Sequence, residues 1–268
     1  MNWTKSWKGV GVSVIGNDHV RHELPLQDAS AVILSPRPAA VVCDGAGSAS
    51  KSHDGANAAL REFRIALSAL ELYIAAVLDL ETVPFEVSNN AWRCVANLIC
   101  CMLVAAKEEA ARMGTGKTQD YDFTFAAAVV GRIRTGFIQI GDGAVCVKTR
   151  NGGCAIAIKP QKGRYVNATT FLTADALKKG AYCTRVIPTS AIGGVMVMSD
   201  GPEVAMVDLS RMRPAGVVSR MIDDFAAGEL DRDALLNYLT GSRWAKDLRG
   251  GDDKSVVILV NSEKEVSK

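Results

Sequence analysis

What most constrains this chain is where its acids stand relative to its apolar runs. Two strand-like runs pass straight into Asp-Gly: Ala40-Val41-Val42-Cys43-Asp44-Gly45 and Val195-Met196-Val197-Met198-Ser199-Asp200-Gly201. Two further acids stand just before apolar runs, Asp28 ahead of Ala29–Leu34 and Asp252 ahead of Ser255–Val260. A carboxylate at the exposed end of a buried strand is held rigidly. Several such ends gathered at one sheet edge form a site for hard divalent cations.

Pairing rules bring these ends together. Ala29–Leu34 leads through the turn Ser35-Pro36-Arg37-Pro38 into Ala39–Cys43, the pattern of an antiparallel hairpin. That hairpin puts Asp28 beside Asp44. Antiparallel pairing of Val195–Ser199 with Ser255–Val260 puts Asp200 beside Asp252 in the same way. Crowded like charges raise one another's pKa, and the four stay ionised together only where cations neutralise them. One Asp-Gly alone reads as a plain turn; the joint arrangement points to metal.

The 268 residues suit one domain spanning 1–268. A net charge of +2 supplies no field for nucleic acid or membrane, and neither is expected as a partner. Seven cysteines, mostly inside apolar runs and without a CxxC pair, fit buried, reduced thiols in a cytoplasmic protein. Zinc-ligand spacing is absent. The segment Met1–Lys8 lacks a secretory apolar core, and Val95–Ala106 is too short to span a bilayer.

Strand-like segments open the chain at Gly9–Ile15, Ala29–Leu34 and Ala39–Cys43. Helical spacing follows in Leu60, Phe63, Leu67, Leu70 and Ile74, and again in Trp92, Val95, Ile99, Met102 and Ala106, with Pro84 marking the break. Strands return at meander spacing at Thr124–Val130, Gly136–Ile140, Ala144–Lys148 and Cys154–Ile158. Lys159–Gly194 is less regular. Val195–Ser199, helices around Ala215–Ala227 and Arg232–Leu239, and a last strand at Ser255–Val260 complete the order. This lacks the βαβ alternation of a parallel sheet, and it predicts an α+β fold of two antiparallel sheets packed face to face with helices outside.

The residues resemble the metal-dependent Ser/Thr protein phosphatases, the protein phosphatase 2C-like group, in its bacterial branch. Gly16-Asn17-Asp18-His19 and Pro25-Leu26-Gln27-Asp28-Ala29 look like the opening signature, and Val42-Cys43-Asp44-Gly45-Ala46-Gly47-Ser48 like the first metal motif. Ile140-Gly141-Asp142-Gly143 stands where the family has a hairpin tip. Met198-Ser199-Asp200-Gly201 and Gly251-Asp252-Asp253-Lys254-Ser255 look like the closing motifs. The resemblance implies a four-layer αββα sandwich. It also implies two Mn²⁺ or Mg²⁺ ions held by Asp28, Asp44, the Gly45 carbonyl, Asp200 and Asp252, with Asp44 bridging. Asp142 belongs to a third, weaker position, but the acid expected to complete it is Val204, with Glu203 adjacent, which weakens the case for a third ion.

Other departures bear on catalysis. Ala46 stands where many eukaryotic relatives have a leaving-group His, and Glu23 where they have a phosphate-binding Arg. His19 and Arg21 are the candidates for those catalytic roles, against plain structural readings of both. Asp253 replaces the usual Asn and adds negative charge at the rim. Gly114-Thr115-Gly116-Lys117-Thr118 imitates a phosphate-binding loop, but it follows a helix and leads into a strand, the reverse of what that loop requires. The function implied is hydrolysis of phosphoserine or phosphothreonine in proteins by a metal-bridged hydroxide, opposing a Ser/Thr kinase. The alternative is a catalytically weak relative that binds phosphoproteins or a kinase.

Overall fold

Strict alternation along strands buried on both faces explains the architecture. The computed structural model describes residues 3–161, 169–241 and 251–262. One antiparallel sheet runs in the order β1 (Trp7–Val14), β12 (Lys254–Asn261), β9 (Ile192–Met198), β6 (Ala144–Thr149) and β7 (Cys154–Ile158). The other runs β2 (Ala29–Ile33), β3 (Ala39–Gly45), β4 (Phe123–Val130), β5 (Arg134–Ile140) and β8 (Cys183–Pro188). A short ribbon pairs β10 (Val207–Asp208) with β11 (Arg213–Pro214).

In β3, Val41 and Cys43 face the helices while Ala40 and Val42 face the opposite sheet; in β12, Ile258 and Leu259 divide in the same way. Both faces are buried, so these strands read as continuous apolar runs. The helices α2 (Ser52–Ala69), α3 (Glu71–Leu78) and α4 (Phe85–Met113) cover the β3 sheet. The other sheet is covered by α6 (Asp200–Met206), α7 (Gly216–Ala227) and α8 (Arg232–Thr240). The expected αββα sandwich is present. Among the described residues, no helix is long and apolar enough to cross a membrane.

Several local expectations change. The helix read through Leu60–Ile74 breaks at Leu70, placing Glu71 at the start of α3. There the fully buried Arg37 pairs with Glu71 and Asp79 and donates to the Val130 carbonyl, fixing α3 over the sheet. The meander is also corrected, because β5 and β6 lie in different sheets. Gly141-Asp142-Gly143 is therefore a crossover, with Gly141 at φ +102°, and not a hairpin tip. The irregular stretch contains α5 (Ala174–Lys178) and β8; residues 162–168 lie outside the described residues, as do Met1 and Asn2 of the N-terminal segment. All seven cysteines are free, but Cys94 and Cys101 are exposed on the outer face of α4.

One buried cation ties the helical layer to the strand ends. Lys107 on α4, 1% exposed, donates to Asp122 Oδ1 at 2.8 Å and to the Leu172 carbonyl at 2.7 Å. The Asp122 carbonyl in turn accepts the Ala46 amide at 2.9 Å, just beyond Asp44 and Gly45. Lys107→Met keeps the volume but leaves Asp122 without its cation, so urea unfolding should show a loss of about 3 kcal/mol. A loss well under 1 kcal/mol would show that the pair holds nothing together.

Candidate active site

Strand register gathers the acids. Ala29 pairs with Cys43, so Asp28 and Asp44 occupy the next position outward. In the other sheet Val256 pairs with Met198, which sets Asp200 and Asp252 at the same end of the sandwich. The crossover adds Asp142, because Ala144 also pairs with Met198. Asp44, Asp142 and Asp200 each offer a carboxylate oxygen, and these atoms lie within 4.8 Å of one another. Gly45 is required by space, since a Cβ there would lie 2.7 Å from the Gln27 carbonyl oxygen.

Burial and mutual repulsion strain this cluster electrically. Burial, then Asp28 and Asp200, push the Asp44 carboxyl well above the ordinary range. Burial, with Asp252 and Asp142, raises Asp200 to about 7. Burial raises Asp28 to about 7, although the Ser199 hydroxyl, donating to its Oδ2 at 2.8 Å, pulls the other way. Asp252 is raised too, chiefly by desolvation, although its side chain is 55% exposed and solvent blunts the effect. An all-oxygen, like-charged donor set of this kind suits Mg²⁺ or Mn²⁺ over softer metals. Among the described residues the buried Asp28 Oδ1 has no hydrogen-bond partner, as expected of an atom reserved for an ion or its water.

Above the acids opens a cleft of about 420 Å³, walled by Asp18, His19, Gly47, Asp200, Val204 and Asp252. His19 comes from a short helix the sequence reading missed, α1 (Asn17–Arg21). Its Nδ1 lies 2.9 Å from Asp253 Oδ1 and its Nε2 3.8 Å from Asp252 Oδ1. Arg21 is brought only to the neighbourhood: 71% exposed, it pairs with Asp18 at 3.0 Å. Glu23 occupies the left-handed position that ends α1, at φ +54°, with the Glu23 and Leu24 amides closing onto the Val20 and His19 carbonyls. Asp253 is 2% exposed rather than at the rim; its side chain turns inward.

Several site groups escaped the sequence reading. Ser199 and Ser255 are visible as motif letters, yet their work is spatial. The Ser199 hydroxyl accepts the Ser255 amide at 2.9 Å while donating to Asp28, joining β12 to the other sheet. Thr169 donates to Asp142 Oδ2 at 2.6 Å from 27 residues away, with no sequence signal. Glu203 is fully buried while Val204 lines the cleft. Lys117 sits beyond the end of α4, its amide bonded to Asp120 Oδ2 at 2.9 Å, in no position to cradle phosphate.

Comparisons with known proteins agree with this geometry. The family model described as Protein phosphatase 2C matches residues 15–237. Serine/threonine-protein phosphatase 3 of Escherichia coli strain K12 is 30% identical over 174 residues, 63% of each chain, so the match spans under two thirds of that relative. A bacterial serine phosphatase crystal structure superposes with TM-score 0.62 at 13% identity, covering 97% of this chain and 99% of that one. The catalytic domain of serine threonine protein phosphatase PstP, solved in complex with 2 manganese ions, gives TM-score 0.51 at 16% identity, covering 95% and 97%. By the family model and the shared fold, this chain belongs to the protein phosphatase 2C family.

Proposed function

We propose that the chain is a metal-dependent phosphatase acting on phosphoserine and phosphothreonine in proteins. The observation that carries this reading is the convergence of Asp44, Asp142 and Asp200 within 4.8 Å beneath an open cleft. Asp28, Asp44, Asp200, Asp252 and the Gly45 carbonyl would hold two Mn²⁺ or Mg²⁺ ions. When bound, the ions supply charge neutralisation and a water acidic enough for attack at phosphorus. His19 Nε2, on the cleft wall, is the protein group placed to move a proton at the leaving oxygen, since Ala46 carries none. Among the described residues Arg21 makes a single surface ion pair, worth under about 0.5 kcal/mol, weak enough to give way to a phosphate. Asp142 shares its reach with Asp44 and Asp200, and Val204, standing where a further acid is expected, favours two ions over three.

The relatives' names and the manganese in one of them support the chemistry, and the phosphoprotein substrate implies an opposing Ser/Thr kinase. Free thiols support a cytoplasmic setting. Ala46 and Glu23 favour the second reading, a catalytically weak binder of phosphoproteins, and turnover separates the two. Phosphate release from a phosphothreonine peptide should need Mn²⁺ and stop with chelator. Asp44→Asn and Asp200→Asn should each lower it by at least about a thousandfold, the scale of losing an electrostatic catalytic group. Neither variant should lower metal-free stability, because each relieves repulsion. Substantial Mn²⁺-dependent turnover in Asp44→Asn would sink the assignment, and no release by wild type would leave the binding reading.

The raised acids also predict an inverted pH response. Asp28 and Asp200 titrate near 7 in the metal-free fold against 3.8 unfolded, so the native state binds more protons between those values. Stability must then fall as pH rises through that window. In chelator, Tm should be higher at pH 5 than at pH 8, and saturating Mn²⁺ should remove the difference. A metal-free Tm that rises with pH over this range would contradict the electrostatics.

A further inference from the structure

Three separate elements meet at Asp253. The Gly16 amide donates to its Oδ1 at 2.7 Å, and the Gln27 amide donates to its Oδ2 at 2.6 Å. His19 Nδ1 approaches Oδ1 to 2.9 Å. Behind the side chain, a Cβ on Gly201 would fall 2.0 Å from the Asp253 carbonyl oxygen, so α6 is seated against it at van der Waals distance. Each of these neighbours leads directly to the site. Gly16 heads the helix that carries His19, Gln27 precedes Asp28, Gly201 follows Asp200, and Asp252 is the preceding residue.

We propose that Asp253 is a positioning residue whose two carboxylate oxygens set the spacing of the acid edge. The chemistry requires an acid and not its amide. Both oxygens accept from main-chain N–H groups, and at 2% exposure no water replaces either partner. An Asn in its place would offer one acceptor and one N–H₂ group. In either orientation it sets donor against donor, at Gly16 or at Gln27. A carboxylate this close to Asp28 and Asp252 adds repulsion to an already crowded centre, and its retention is explained by the two amides it receives. The meaning of Asp28 and Asp252 as cation-holding groups rests on the function proposed above; the bracket at Gly16 and Gln27 does not.

Asp253→Asn distinguishes this role from a mere excess charge, because the two give opposite signs. Relief of repulsion raises the metal-free Tm, whereas loss of an acceptor lowers it, here by at least about 5 °C. Calorimetry with Mn²⁺ alone, at a temperature where circular dichroism shows the variant folded, should give a Kd at least about tenfold weaker than wild type. A Tm that is unchanged or raised overturns the proposal. So does a lowered Tm with unchanged Mn²⁺ affinity, which makes the residue structural only. Wild type failing to bind Mn²⁺ would refute the cation reading instead. In that event, or if the variant does not fold, amide exchange on wild type in chelator decides. Gly16 and Gln27 should be protected as strongly as strand amides, and exchange at exposed-loop rates would overturn the bracket.

Discussion

Everything at the working end of this molecule follows from holding like charges closer than they would choose. Asp28 is buried and Asp44 half-buried, and Asp200 and Asp252 stand beside them, with Asp142 delivered by a crossover between sheets. Burial disfavours the charged forms of Asp28, Asp44 and Asp200, and the neighbouring acids add to the penalty. Such a cluster is tolerable only on a scaffold that gives the acids no room to separate. Two twisted sheets, each buried on both faces and sealed by helices, supply that rigidity, since a strand end cannot move without displacing its whole ladder.

The sheets are also stitched together beneath the acids. Ser13 Oγ lies 2.6 Å from Ser255 Oγ and 2.8 Å from Ser30 Oγ, and Ser199 reaches across to Asp28. Side chains from β1, β2 and β12 thus form a polar seam at the edge of an otherwise apolar interlayer. Fully satisfied, a seam of hydroxyls fixes the relative position of the two sheets more sharply than apolar packing does. That matters here because Asp28 and Asp44 belong to one sheet, and Asp200 and Asp252 to the other.

The legible part of this chain is the part governed by short periods. Alternation exposed the buried strands, and the Asp-Gly exits, taken with antiparallel pairing, put Asp28 beside Asp44 before any coordinates. The illegible part depends on distant partners. Nothing near Leu70 announces that Arg37 will draw Glu71 and Asp79 together and break the helix there. Gly141-Asp142-Gly143 has the letters of a hairpin turn, and only the pairing of β6 with β9 makes it a crossover. Asp253 reads as one more surface acid because its acceptors are filled by amides more than 220 residues earlier in the chain.

Among the described residues, the positive charge near the cleft is sparse. Lys254 is buried, and its Nζ turns to the Asp252 carbonyl at 2.9 Å; burial lowers its pKa, so it is a reluctant cation. Arg21 stays at the surface with Asp18. Thr169, donating to Asp142, contributes a dipole and no charge. Among the described residues this edge is thus negative, on a chain whose formal net charge is +2. A compact set of carboxylate oxygens such as this one suits small, hard divalent ions.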